Sequence, residues 1–331
     1  YLEPIQTFLV SSLMKLITFL IFIIPTLLLS QKINNVSSYR NMGSETYFRF
    51  HYDNDFFAAT DKNYTQGYNF EFANPVFKKN PVNHIFIKLK GQSNTFGVAI
   101  EHIGFTPSNF VSPDIQTGDR PFAAAIYFKS FATSIDTFKK RLLSQSFSIG
   151  FIGPGAFGKE MQTEIHKLTG NKIPRGWDNQ IQNDLVFNFK FDYEKQLFSY
   201  NELFSLQSVT AFQVGTLFTN ASVGINTTFG LLDQHFSESR HSSDFRLFAY
   251  AQPIVSYIGY DATLQGGIFT NDNTYEISSK NIERITAQID FGLVLKYKRL
   301  YLEYTRTSIT REFKSGNAAK WGGFRVGYLF L

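Results

Sequence analysis

The sequence predicts an all-β chain, a transmembrane antiparallel β-barrel with a short helical insertion carrying the candidate site. Three observations point there. Apolar and polar residues alternate with period two in several segments, the longest such segment exceeds an ordinary soluble strand, and a secretory-type apolar stretch comes first. Alternation alone also fits a soluble sandwich, which buries its ring-bearing face between two sheets. The strand length, the 37 Phe and 17 Tyr, the leading apolar stretch and the lack of cysteine staples favour a face turned to lipid.

Met14-Lys15 precedes Leu16 to Leu29, apolar apart from Thr18 and Thr26, and Ser30-Gln31 follow. This is the charged start, greasy core and small-residue exit of a signal peptide, and the core is shorter than the roughly 20 residues of a membrane-crossing helix. Residues 1–30 are therefore expected to be a signal peptide, with 1–13 as an upstream extension, and 31–331 one barrel domain. In Phe48, Phe50 and Tyr52 the rings alternate with Arg49 and His51; in Tyr68, Phe70 and Phe72 they alternate with Asn69 and Glu71. Phe187, Phe189, Phe191 and Tyr193 repeat the pattern around Asn188, Lys190 and Asp192. From Ile285 to Tyr297 it runs for thirteen residues, where a bilayer asks about 9–11 of a tilted strand. The closing run Phe324, Val326, Tyr328, Phe330 is like the terminal strand of outer-membrane barrels, although Leu331 replaces the usual final aromatic. Asn271-Asp272-Asn273, Ser315-Gly316-Asn317 and Ser237-Glu238-Ser239-Arg240 read as turns, and no linker or repeat divides the chain.

The absence of cysteine excludes disulfides, thiolate chemistry and a lipid anchor on Cys. A net charge of +5 without a dense Lys/Arg block gives no support for nucleic-acid binding, while attraction to an anionic lipid surface is allowed. Neither a Gly-x-Ser-x-Gly elbow nor a His-Glu-x-x-His helix is present.

Four polar tracts interrupt the alternation. Asp53-Asn54-Asp55, followed by Asp61 to Gly67, offers oxygens suited to a hard cation such as calcium, though such clusters also build turns. Phe105 to Ser108 leads to Gly118-Asp119-Arg120-Pro121-Phe122-Ala123, where Asp119 and Arg120 are expected to organise a loop. Gly153 to His166 sets Gln162 and His166 four apart on one helical face, with Met161, Ile165 and Leu168 expected to seat the neighbouring face on the scaffold. Gly176-Trp177-Asp178-Asn179-Gln180 closes the series, with Trp177 at the membrane interface or packed under the site. His166 is the best general base on offer; its alternative is a hydrogen-bonded structural histidine.

In this order, Asn54-Asp55, Asp61 with Tyr64-Thr65-Gln66-Gly67, Thr106-Pro107, Asp119 to Ala123, Gly153-Pro154, Gln162 with His166, and Gly176 to Gln180 resemble the lipid A 3′-O-deacylase family of outer-membrane enzymes. The likeness runs from about Tyr52 to Gln180. It implies a twelve-stranded barrel with its site between the wall and a helical insertion, lipid A of lipopolysaccharide as substrate, calcium dependence, and Asn54, Asp55, Thr65, Gln162 and His166 as site positions. The basic residue that some members carry after Thr-Pro has no counterpart among Phe110, Val111, Ser112 and Pro113. Chemically, His166 would deprotonate water, a calcium ion near Asn54 and Asp55 would receive the oxyanion, and Thr65 and Gln162 would orient water, metal or substrate. Magnesium or plain water would also suit those oxygens. No obligate protein partner is evident. A porin-like barrel, an outer-membrane phospholipase and a soluble exported binding protein are the rival readings.

Overall fold

The computed structural model describes residues 37–58, 63–89, 93–232, 236, 244–270 and 272–330. The signal-peptide expectation, Asp61, Asn271, the 237–240 turn and Leu331 lie outside them. Twelve antiparallel strands close into a barrel: β1 (Tyr47–Asn54), β2 (Asn63–Ala73), β3 (Ser93–Thr106), β4 (Ala123–Asp136), β5 (Arg141–Ile152), β6 (Asp184–Tyr200), β7 (Phe204–Gly215), β8 (Phe218–Leu231), β9 (Phe245–Asp261), β10 (Ile285–Tyr297), β11 (Leu300–Ile309) and β12 (Ala319–Leu329). Each pairs with its neighbour in sequence, and β1 meets β12 from Tyr47↔Leu329 to Asn54↔Gly322.

The alternation becomes two faces of one wall. Phe48, Phe70, Phe72, Phe291, Leu293, Phe324 and Tyr328 are exposed on the outside, where lipid replaces water as their solvent. Arg49, Glu71, Glu101, Lys129, Asp290, Glu303 and Arg325 are buried within. They survive there because they are paired: Arg325 and Glu303 at 2.9 Å, Arg49 and Glu71 at 2.7 Å, Lys129 and Glu101 at 2.6 Å.

The segment before β1 runs into this interior. Ser38 bonds Glu194 through its backbone N–H (2.8 Å) and hydroxyl (2.6 Å), Tyr39 stacks on Tyr250 at 3.9 Å, and Arg40 pairs with Glu303 at 2.9 Å. It thus enters the lumen at the end of the wall where β1 begins and β12 ends. The opposite end carries the connection 153–183, which holds the main helix.

Candidate active site

Three local features build the site at that opposite end. At the tip of β1, the Asn54 side chain is locked by its neighbours: its Nδ2 donates to the Thr65 carbonyl at 2.7 Å and to the Tyr52 hydroxyl at 3.2 Å, while its Oδ1 accepts from the Phe56 N–H at 2.8 Å. Asp55 follows as the first residue of a short 3-10 turn, Asp55–Ala58, and is buried. On β2 the pairing with β3 slips between Tyr64 and Gln66, a bulge that leaves Thr65 as the extra residue. Bulges re-aim side chains. Here Tyr64 joins the interior cluster with Ile103, Phe105 and Trp321, while Thr65 lines an external cavity and shares a 2.5 Å hydrogen bond with the Thr106 hydroxyl.

The third feature is helix α1 (Gly158–Thr169), ended by Gly170 in a left-handed conformation with φ 69°. The helix lies close to the wall because Gly158 has no side chain: a Cβ there would sit 2.5 Å from the Ala124 Cβ and 2.6 Å from the Trp177 ring. Its buried residues are Gly158, Gln162 and His166, and Leu168 is 86% exposed. The expectation that Met161, Ile165 and Leu168 would seat the helix is therefore corrected. Only Ile165 reaches the site, as part of the cavity lining, and Leu168 faces away. The physical reason is the surroundings: on the outside of a membrane barrel an apolar side chain gains nothing by hiding from lipid, so the polar face can turn inward.

A cavity of about 510 Å³ between α1 and the wall is lined by Asn54, Asp55, Thr65 and His166 together with Tyr52, Phe56, Phe57, Ile165 and the 169–171 backbone turn. Four of the five expected site residues thus meet in one place. Gln162, one turn before His166, is not part of the lining. Its Oε1 accepts the Trp177 indole N–H at 2.7 Å, and its Nε2 is buried without a hydrogen-bond partner. Because an indole nitrogen only donates, this bond fixes which way the amide points and leaves two N–H groups to give. Trp177 itself is buried under the helix against Phe122, at 5.0 Å between ring centres.

His166 Nδ1 bonds the Lys172 carbonyl, and the ring meets Phe110 edge-on at 5.4 Å. A carbonyl only accepts, so Nδ1 carries the hydrogen and Nε2 keeps its lone pair. Asp119 accepts the Ser108 N–H at 2.8 Å; Arg120 reaches Glu312 at 3.0 Å and Thr263 at 3.2 Å and lies 4.1 Å over the Phe105 ring. These two residues tie together loops at the site end.

Among the described residues no group of three or more His, Cys, Asp or Glu is placed to hold a metal. The cavity offers instead one carboxylate, Asp55, with the amide oxygen of Asn54 and the hydroxyl of Thr65. An all-oxygen set of this kind suits a hard cation that keeps several waters, and lacks the nitrogen or sulfur ligands of a zinc site.

A family model described as outer membrane protein LpxR matches residues 16–330. The chain belongs to the LpxR family. LpxR proteins are outer-membrane lipid A deacylases, and this chain is accordingly an outer-membrane barrel. Its fold is similar to LpxR from Salmonella typhimurium, with a TM-score of 0.70 and 17% identity over 86% of this chain and 100% of that one. Other similar structures are the β domain of the Bordetella autotransporter BrkA (TM-score 0.44, 7% identity, 86% of this chain and 98% of that chain) and the transport unit of the autotransporter AIDA-I from Escherichia coli (TM-score 0.40, 10% identity, 91% and 93%). No match was found among curated proteins. Sequence reasoning noticed Trp177 but not its bond to Gln162, and it missed Tyr52, Phe56 and Phe57 as lining. The pairing of a lone indole with a helical amide leaves no periodic signal, since the two residues stand fifteen apart.

Proposed function

We propose that the chain hydrolyses the ester holding the acyl group at the 3′ position of lipid A, with His166 as general base. The observation that carries this is the cavity between α1 and the outer wall, which unites His166, Asn54, Asp55 and Thr65 on the lipid side of the barrel rather than in its lumen. A substrate anchored in the same leaflet reaches such a cavity by lateral movement.

His166 Nε2 takes a proton from water as its oxygen adds to the ester carbonyl carbon. The C–O bond to the sugar then breaks, and the same proton passes from His166 to the departing sugar oxygen, giving a free fatty acid and a 3′-hydroxyl. Lys172 holds the imidazole in the tautomer this requires. Asp55, with Asn54 and Thr65 oxygens, would hold calcium, which when bound supplies positive charge for the carbonyl oxygen. Gln162 stands one turn before His166 and outside the cavity lining, so it acts as a positioning residue through its bond to Trp177, and its Nε2, which can only donate, is unsuited to ligating a cation.

Mass spectrometry of lipid A from cells expressing the chain, with and without chelator, tests the reading. Loss of one ester-linked acyl unit, abolished by chelator and restored by calcium, is the expected result. Unchanged lipid A with released phospholipid acyl chains would replace it with a phospholipase.

A further inference from the structure

The lipid-facing wall beside the cavity carries a cation that the barrel itself does not use. Arg306 lies on the outward face of β11, level with Gly322 of β12 and Asn54 of β1 in the strand register. Gly322 is the gap between them: a Cβ there would stand 2.9 Å from the Phe57 Cβ and 3.1 Å from the Arg306 Cδ. Phe57 lines the cavity, so the arginine stem packs along the edge of the cavity wall. Among the described residues its guanidinium meets only the Tyr304 hydroxyl, at 3.4 Å, and pairs with no carboxylate.

A guanidinium on the lipid side is costly unless it meets an anion at head-group level. Two strand spacings put Arg306 about 10 Å from Asn54. Fully extended, the five C–C and C–N bonds from the arginine Cα to its guanidinium carbon would cover about 6 Å of that. What remains is a few ångströms, the scale of neighbouring substituents on one sugar ring. The tract after Thr106-Pro107, on the other flank, is uncharged from Phe110 to Pro113.

We infer that Arg306 forms a subsite for a phosphate ester on the glucosamine that bears the scissile acyl chain. The inference rests on the proposed deacylation for its substrate class, but it concerns binding and is separable from turnover. A planar guanidinium grips two phosphate oxygens at once, which a lysine ammonium does less well.

The test uses the full chain in detergent and two glycolipids, one phosphorylated on the sugar carrying the 3′ acyl chain and one lacking that phosphate. Arg306→Gln should raise KM for the phosphorylated glycolipid about 10- to 100-fold, the strength of a hydrogen bond to a charged group, with kcat kept. Its KM for the dephosphorylated glycolipid should not move, and Arg306→Lys should recover part of the loss. Native mass spectrometry of glycolipid binding repeats the comparison without turnover. Wild-type preference for the phosphorylated form, lost in Arg306→Gln, supports the subsite even if no acyl chain is released, an outcome that would sink the deacylase reading alone. Equal effects on both glycolipids, or none, overturn the subsite. So does an Arg306 effect on the dephosphorylated glycolipid that appears only when phosphatidylglycerol is added, because the phosphate would then be that of surrounding lipid.

Discussion

Replacing Gly158 by alanine should cost about 100-fold in rate while leaving the barrel intact. In an isolated helix this exchange is favourable by about 1 kcal/mol, so helix propensity predicts the opposite sign. Here the new methyl group would stand 2.5 Å from the Ala124 Cβ and 2.6 Å and 2.8 Å from Trp177 ring carbons. Opening 2.5 Å to the 3.4 Å at which ordinary contact begins moves the helix start by about 1 Å off the wall. His166 rides on that helix, and a misplacement of about 1 Å in a reacting group costs on the order of 10² in rate. Acyl release from lipid A by the purified variant, followed by mass spectrometry, gives the rate; heat-dependent mobility on a gel reports barrel folding. Adding Ala124→Gly removes one of the two obstacles and should restore part of the activity, because Trp177 remains. A Gly158→Ala enzyme working within about twofold of wild type would refute the idea that close seating of α1 sets the site geometry.

His166→Ala should lower the rate by about 10² to 10⁴, the usual contribution of a general base, and near wild-type acyl release would remove it from that role. Trp177→Phe deletes the donor to Gln162 and leaves a buried acceptor unsatisfied, worth about 1–3 kcal/mol; kinetics should show kcat falling at least about tenfold with KM little changed, and an unaltered kcat would make Gln162 structural only. Burial pushes the Glu312 carboxyl up to about 7 from an ordinary 4.5, with Arg120 pulling it down and Asp261 pushing it further up. The folded protein therefore binds this proton more tightly than the unfolded chain, and the resulting stabilisation is complete below about 4.5 and lost as pH rises through about 7. Thermal midpoints measured across that window should fall in the wild type and stay flatter in Glu312→Gln, whereas identical slopes would assign the pH dependence elsewhere.

The barrel was legible because lipid and lumen impose a strict two-residue period, which Phe48, Phe50 and Tyr52 display without reference to anything distant. The meeting of Asn54, Asp55, Thr65 and His166 was legible only through the resemblance, since β1, β2 and α1 are joined in space by closure of the sheet and not by spacing. Thr65 reaches the cavity through a bulge, and one extra residue inside an alternating run cannot be told from a change of face. The orientation of α1 was misread for a different cause. The inference that apolar residues point toward the scaffold assumes water outside, and Leu168 does not face water-driven burial in a membrane. Arg40, exposed by any compositional rule, is buried against Glu303 because a polar lumen accepts what an apolar core would refuse.

That buried arginine belongs to a stretch whose partners are spread around the circumference: Glu194 on β6, Asn226 on β8, Gln252 on β9 and Glu303 on β11. Four strands spread round the closed sheet are thereby braced from within by one short segment, and the barrel gains polar cross-links where a soluble fold would rely on an apolar core.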